Sequence, residues 1–263
     1  MLDQGIRILR FVLALLVVVS AGLPAPRAAA DRPFVVEEVE PVGKKLVRLE
    51  SWVLATKDVF AHSALLGIGA GDHLEVKLGA MHGGVFGNGM SGYGILGPLV
   101  QIDAMFFAPT SWGRPGLGLY VGTLPKLGYQ VFSPPGWSGF GGFRITQPIL
   151  DEVLYVHGNL GVSLGGDGDG VSSGRHASRW LTGGLGLEAR FSEAASGILE
   201  YFHRDPYSPY ARWAGLQGGF RYAFRETIAL DGGLGLTLPY ATGDSRVRVF
   251  GTLGIRLTTP VRW

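Results

Sequence analysis

From about Leu46 to Leu257, apolar and polar residues alternate in short stretches broken by turn residues. The clearest stretch sets Ala214, Leu216, Gly218, Phe220, Tyr222 and Phe224 against Trp213, Gly215, Gln217, Gly219 and Arg221. The next sets Ile228, Leu230, Leu234, Leu236 and Leu238 against Ala229, Asp231, Gly233 and Thr237, and the last Val247, Val249, Leu253, Ile255 and Leu257 against Arg246, Arg248, Thr252 and Arg256. A period of two gives a strand one apolar and one polar face, and about ten such residues cross a bilayer when tilted. The pattern predicts an all-β fold, an antiparallel up-and-down transmembrane β-barrel of about twelve strands: 46–55, 59–70, 73–83, 95–107, 116–125, 138–147, 153–165, 178–191, 195–204, 211–224, 227–238 and 246–257. Ten or fourteen strands also fit.

Turn lengths give an orientation. Gly71-Asp72, Pro148 to Glu152, Ser192 to Ala194 and Arg225-Glu226 are short, whereas His82 to Gly94, Lys126 to Trp137, Gly166 to Ala177 and Asp205 to Tyr210 are longer and rich in Gly, Pro, Ser and Asp. Short periplasmic turns and longer outer loops are the rule for bacterial barrels, and an even strand number leaves both termini in the periplasm. Thr56 to Asp58 and Pro109 to Pro115 fit this parity less well. Trp52, Trp112, Trp137, Trp180, Trp213, Tyr201 and Tyr222 fall near predicted strand ends, as interfacial aromatic girdles do, although core packing would place them similarly.

The amino terminus sets the compartment. Arg7 and Arg10 precede the apolar run Phe11 to Leu23, and Ala28-Ala29-Ala30 offers a cleavage site, so residues 1–30 read as a secretory signal peptide. Residues 31–45 are then a periplasmic N-terminal segment and 46–263 the barrel of a Gram-negative outer-membrane protein. The chain has no Cys, which excludes disulfides and thiolate chemistry, and no Cys follows the cleavage site to carry a lipid. Its 43 Gly are about twice ordinary usage and interleave with Leu, Val and Phe, which separates them from a disordered glycine tract. A net charge of +2 gives no polyanion signal, and no nucleic-acid motif is present.

Gly67-Ile68-Gly69-Ala70-Gly71-Asp72-His73-Leu74-Glu75-Val76, together with Asn159-Leu160-Gly161, Leu199-Glu200-Tyr201 and Phe250-Gly251, resembles the family of outer-membrane proteins of the phenol-degradation pathway. The resemblance implies a channel for small molecules. The chain departs from it after Leu257, where Thr258 to Trp263 extends past the last strand, so Leu257 and Trp263 both stand as the terminal hydrophobic residue read by the barrel-assembly machinery.

Motifs of other chemistries are weak. Gly161-Val162-Ser163-Leu164-Gly165 and Gly170-Val171-Ser172-Ser173-Gly174 match a nucleophile elbow, but neither stands at a strand-to-helix turn. His157, Asn159 and Ser163 would suit an outer-membrane lipid hydrolase if they faced lipid, yet Leu154, Val156, Leu160, Val162 and Leu164 claim that face. Gly165 to Gly170 holds one copy of a glycine-aspartate pattern and reads as an outer loop rather than a calcium site. The six His do not pair at metal-ligand spacing, and no cofactor is expected. Arg175-His176 and His203-Arg204-Asp205 are placed in outer loops, within reach of lipopolysaccharide phosphates.

What remains is the inward face. The alternation turns Glu50, Glu75, Lys77, Asp103, Arg144, His157, Glu188, Arg190, Glu200, Arg221, Asp231, Arg246, Arg248 and Arg256 toward the lumen, and those from Asp103 to Arg248 are the candidate pore-lining, solute-binding set. Such charges must be wetted or paired. Arg221 and Arg248 are expected to share one water-filled space with Asp231 between them. The resulting expectation is a non-enzymatic, passive channel for a small organic or weakly anionic solute, set in outer-membrane lipid and lipopolysaccharide. Its alternatives are a lipid hydrolase and a structural or surface-interaction barrel with a plugged lumen.

Overall fold

A computed structural model describes residues 34–87, 90–110, 113–125, 127–130, 132, 136–150, 153–166, 177–205, 207, 214–238 and 247–261. Trp112, Trp213, Arg246, Trp263, the Gly-Asp pattern beyond Gly166 and Arg175-His176 lie outside the described residues.

Among the described residues, thirteen strands form one antiparallel sheet: β1 Leu46–Thr56, β2 Val59–Gly71, β3 Leu74–Gly87, β4 Met90–Phe107, β5 Gly116–Leu124, β6 Gly128–Gln130, β7 Ser138–Leu150, β8 Leu154–Gly166, β9 Ala177–Arg190, β10 Ala195–His203, β11 Ala214–Arg225, β12 Ile228–Leu238 and β13 Arg248–Pro260. Twelve of them form the wall, each beside its neighbours in sequence, and β1 closes on β13 from Leu46↔Pro260 to Thr56↔Phe250. Closure satisfies every strand edge, which a sheet in hydrocarbon requires.

The twelve expected strands are present, most within a few residues of their expected bounds. The main difference is the span from His82 to Gly94. Expected as a long outer loop, it instead continues β3 and β4 to within two residues of each other, with His82↔Ile95 and Gly87↔Met90 paired. Six glycines in that span of the sequence, Gly83, Gly84, Gly87, Gly89, Gly92 and Gly94, erase the apolar alternation that marks a strand without preventing the ladder. The short β6 lies inside the expected loop Lys126 to Trp137 and pairs only with β4, Leu96↔Gly128 to Gly94↔Gln130.

Side-chain direction follows the pleat. Leu160, Leu185, Leu199, Leu234 and Leu253 are exposed on the outer face, as a lipid belt demands. The inner face is built in two tiers. Toward the end where β1 begins and β13 ends it is ionic, with Arg48, Glu50, Glu75, Lys77, Asp103, Arg144, Glu188, Arg221 and Asp231 all buried. Toward the opposite end it is apolar: Trp52, Leu65, Leu96, Leu99, Tyr120, Leu124, Phe132, Phe140 and Tyr207 belong to one cluster. Phe202 and Phe250 pack edge-on with centroids 6.3 Å apart. Trp52 therefore belongs to the interior and not to an aromatic girdle; it occupies an inward register position on β1, whereas Tyr201 and Trp137 are exposed.

Residues Phe34 to Val42, ahead of β1, run inside the barrel. Phe34, Val36, Glu37, Glu38 and Val39 are buried, while Glu40 is exposed where the segment nears β1. The segment makes no ladder with the wall. Side chains hold its backbone instead: the Val35 and Val36 N–H groups donate to Glu200 (3.0 and 2.8 Å), Val39 N–H to Thr146 Oγ1 (3.1 Å) and Val42 N–H to Glu75 (3.2 Å).

Two outcomes test this architecture. Lys57→Cys, in the β1–β2 turn, should react with an impermeant maleimide on whole cells, and Glu193→Cys, between β9 and β10, only after the outer membrane is broken; the opposite pattern would invert the barrel. Arg221 and Asp231 are direct cross-strand partners, ion-paired and buried. Arg221→Met should cost about 3–5 kcal/mol, because it leaves a buried carboxylate uncompensated. Urea unfolding in lipid vesicles measures this, and the double variant Arg221→Met, Asp231→Leu should recover most of the loss.

Candidate functional site

At the boundary between the two tiers, three strands and the N-terminal segment converge on one charge cluster. Lys77 on β3 and Arg144 on β7 each reach two carboxylates, Asp103 on β4 and Glu37 on the segment. Lys77 Nζ lies 2.9 Å from Asp103 and 3.1 Å from Glu37, and Arg144 lies 3.1 Å and 2.8 Å from the same pair. Neighbours hold the cluster in place. Gln101 Nε2 donates to Asp103 (2.6 Å), the Tyr207 hydroxyl donates to Gln101 Oε1 (2.8 Å), and the Arg144 guanidinium lies 4.7 Å from the Tyr120 ring centroid. The Asn159 carboxamide meets the backbone of Glu37 on both sides, Nδ2 donating to its carbonyl (3.1 Å) and Oδ1 accepting from its N–H (3.0 Å).

The two carboxylates differ in origin. Asp103 belongs to the wall, while Glu37 belongs to a piece of chain that crosses the lumen without strand pairing. A planar guanidinium and an ammonium converging on one carboxylate make a strong charge-assisted grip at a depth where water screens little.

Two further clusters flank this one. Below it, Arg48 on β1 binds Glu75 with 2.9 and 3.0 Å contacts and Glu50 at 3.1 Å. On β8 and β9, Glu188 lies 3.2 Å from Arg190 and 3.4 Å from His157, whose Nδ1 is 3.1 Å from Thr146 Oγ1. Arg190 also covers the Tyr155 ring at 4.1 Å. A small cavity of about 10 Å³ touches Glu37, Arg144 and Tyr207, and another of about 20 Å³ lies in the apolar tier against Trp52, Met81 and Leu99. Each has room for about one water.

Of the expected lumen set, Asp103, Arg144, His157, Glu188, Arg190, Glu200, Arg221 and Asp231 all take inward register positions. They do not form one site. Asp103 and Arg144 meet, His157 meets Glu188 and Arg190, Arg221 meets Asp231, and Glu200 binds the N-terminal segment. Arg248 is exposed at the start of β13, opposite Thr237, whereas Arg221 lies opposite Asp231, six residues farther along β12. At about 3.3 Å per residue, six residues put the two arginines on the order of 20 Å apart, so they do not share a space. His157 and Ser163 are buried in the interior, away from lipid, which removes them from any reaction at the membrane.

Sequence reasoning missed Arg48, Gln101, Tyr207 and above all Glu37. A signal was there: the inward face carries a slight excess of bases, and a carboxylate had to come from elsewhere to balance it.

No family model and no curated protein matches the sequence. Solved structures do match the fold. The COG4313 outer membrane channel from Pseudomonas putida F1 aligns over 88% of this chain and 100% of its own at 12% identity, with a TM-score of 0.58. The NanC porin aligns over 80% of this chain and 98% of its own at 7% identity, with a TM-score of 0.53. With its closed wall and apolar outer face, the chain is a closed twelve-stranded antiparallel β-barrel that shares its fold with these two outer-membrane proteins.

Proposed function

We propose that the chain is an outer-membrane channel for a small organic solute that carries a weak negative charge, and that Phe34–Val42 shifts when the solute passes. Glu37 carries this reading. Its carboxylate takes the position a solute carboxylate would take, between Lys77 and Arg144, and it is delivered by a segment whose backbone is held by wall side chains. With the segment displaced, two cations face the wall carboxylate Asp103, an arrangement that favours one more negative charge. The apolar tier above, with Trp52, Leu99, Tyr120 and Phe140, suits an apolar body attached to that charge. The fold shared with a porin and an outer-membrane channel supports a transport role. A second reading, a barrel with a plugged lumen and a structural or surface role, is favoured by the buried segment and the water-sized cavities beside it.

Glycine positions on the wall offer a way to separate the two. The three atoms nearest a Cβ placed on Gly186 of β9 would be Cγ1 and Cβ of Val36, at 3.3 and 3.4 Å, and the His157 Cβ at 3.8 Å. Gly186→Leu should therefore press on the segment and leave the strands intact. In planar bilayers this variant is expected to conduct several-fold more than the unaltered chain; silence from both, in protein whose gel mobility still shifts on boiling, would establish the plugged reading. In liposome swelling, Gly186→Leu should admit benzoate faster than benzylamine. Adding Lys77→Met and Arg144→Met should abolish that preference, and an unchanged ratio would remove these two cations from solute selection.

A further inference from the structure

Two imidazoles stand on the face of the barrel that meets lipid. His62 on β2 and His82 on β3 are direct cross-strand partners, with His62 Nδ1 2.9 Å from His82 Nε2 and the rings edge-on at 4.9 Å. On the other side of His62, the Ser51 hydroxyl of β1 lies 2.8 Å from Nε2. The three side chains form a line across three adjacent strands. Around them the outward positions are apolar, including Val53, Phe60, Ala64, Leu66 and Leu78, with Tyr93 beside His82 at 5.8 Å. Ionisable side chains against hydrocarbon are costly and mark function by default.

The connectivity gives the line a chemical direction. When His62 Nδ1–H donates to His82 Nε2, His62 Nε2 is left bare and accepts the Ser51 O–H. This is a nucleophile, a base in contact with it, and a third group that fixes the base's tautomer. Depth matters as well. His62 pairs with Val53, three residues inside the end of β1 at Thr56, so at about 3.3 Å per residue it lies within roughly 10 Å of the outer end of the hairpin. Lipid acyl esters lie at the boundary between headgroups and chains, and the site faces only lipid.

We propose that Ser51 and His62, positioned by His82, form an acyl-transfer site on the lipid face that hydrolyses the carboxylic ester of a membrane lipid. Ser51 Oγ bonds to the ester carbonyl carbon while its proton passes to His62 Nε2, and His82 accepts from His62 Nδ1–H throughout. Collapse breaks the ester C–O bond, and His62 returns the proton to the departing alcohol oxygen. Water, deprotonated by His62, then attacks the acyl-serine; the fatty acid leaves and Ser51 regains its proton. The sum is ester plus water giving acid plus alcohol, with no change of oxidation state. This activity is independent of the lumen, so it stands or falls apart from the channel reading.

The test uses the full chain refolded into phosphatidylethanolamine vesicles, with and without lipopolysaccharide, and measures released fatty acid by mass spectrometry. Release is expected from the unaltered chain and should fall at least about a hundredfold in Ser51→Ala and in His62→Gln, the usual scale for losing a nucleophile or its base. His82→Ala should lower kcat and leave KM in place in protein that keeps the boiling-dependent gel shift, and His82→Gln, whose side-chain oxygen can still accept from His62 Nδ1–H, should recover part of the rate. A fluorophosphonate should form an adduct on Ser51 in the unaltered chain and not in His62→Gln. Release only when lipopolysaccharide is present assigns the ester to its acyl chains, and release without it assigns the ester to phospholipid. The proposal is overturned if release is no greater than from Ser51→Ala with either lipid, or if the Ser51 adduct is absent from protein that still shows the boiling-dependent gel shift.

Discussion

A strand edge cannot be left open in hydrocarbon, and the pairing of Leu46–Thr56 with Phe250–Pro260 is what removes the last one. Much else in the molecule answers to that closure. Once the sheet is a cylinder, each pleat sends one side chain to lipid and the next into an enclosed volume, and a one-residue slip would exchange the two sets. Glu50 and Arg256 on the seam itself are register partners facing inward, so the closing ladder carries an opposite-charge pair with it.

The enclosed volume has its own constraint. Charges in it are far from bulk water, and each cation among Arg48, Lys77, Arg144, Arg190 and Arg221 lies within ion-pair distance of at least one carboxylate. The wall does not complete this pairing alone. Glu37 joins Asp103 between Lys77 and Arg144, and Glu200 is occupied by backbone N–H groups of the segment. The N-terminal segment is thus part of the interior's electrostatics as well as an object filling space. The apolar tier has the opposite logic, since Trp52, Leu99, Phe140 and Tyr207 pack against one another and set a boundary where the charges begin.

The strands were legible in the sequence because lipid on one side and an enclosed interior on the other impose a period of two, and β11 to β13 keep it for ten residues or more. The hairpin from Gly83 to Gly94 was not, because glycine belongs to neither face and leaves no alternation to read. Inward direction was legible one residue at a time, as for Arg144 and Glu188. Which inward residues meet was not, since contact across the lumen depends on height along tilted strands, and that is why Arg221 and Arg248 looked like neighbours. The Ser51, His62 and His82 line was hidden for a related reason: its members are 11 and 20 residues apart in sequence and become adjacent only through cross-strand register. Glu37 was invisible as a lumen group because Phe34–Val42 has no partner strand to give it a period.

The segment also bears on the order in which the molecule is made. It leads directly into β1, and β1 is one side of the seam that closes last in any sheet built from consecutive hairpins. A finished cylinder therefore never has to be threaded. The segment can lie against the concave face of an open sheet, bound by Glu75, Thr146 and Glu200, and be enclosed when β13 reaches β1. In that sequence of events the inner charges acquire their counter-ion before they lose access to water, so the step that seals the barrel is not also the step that strands Lys77 and Arg144.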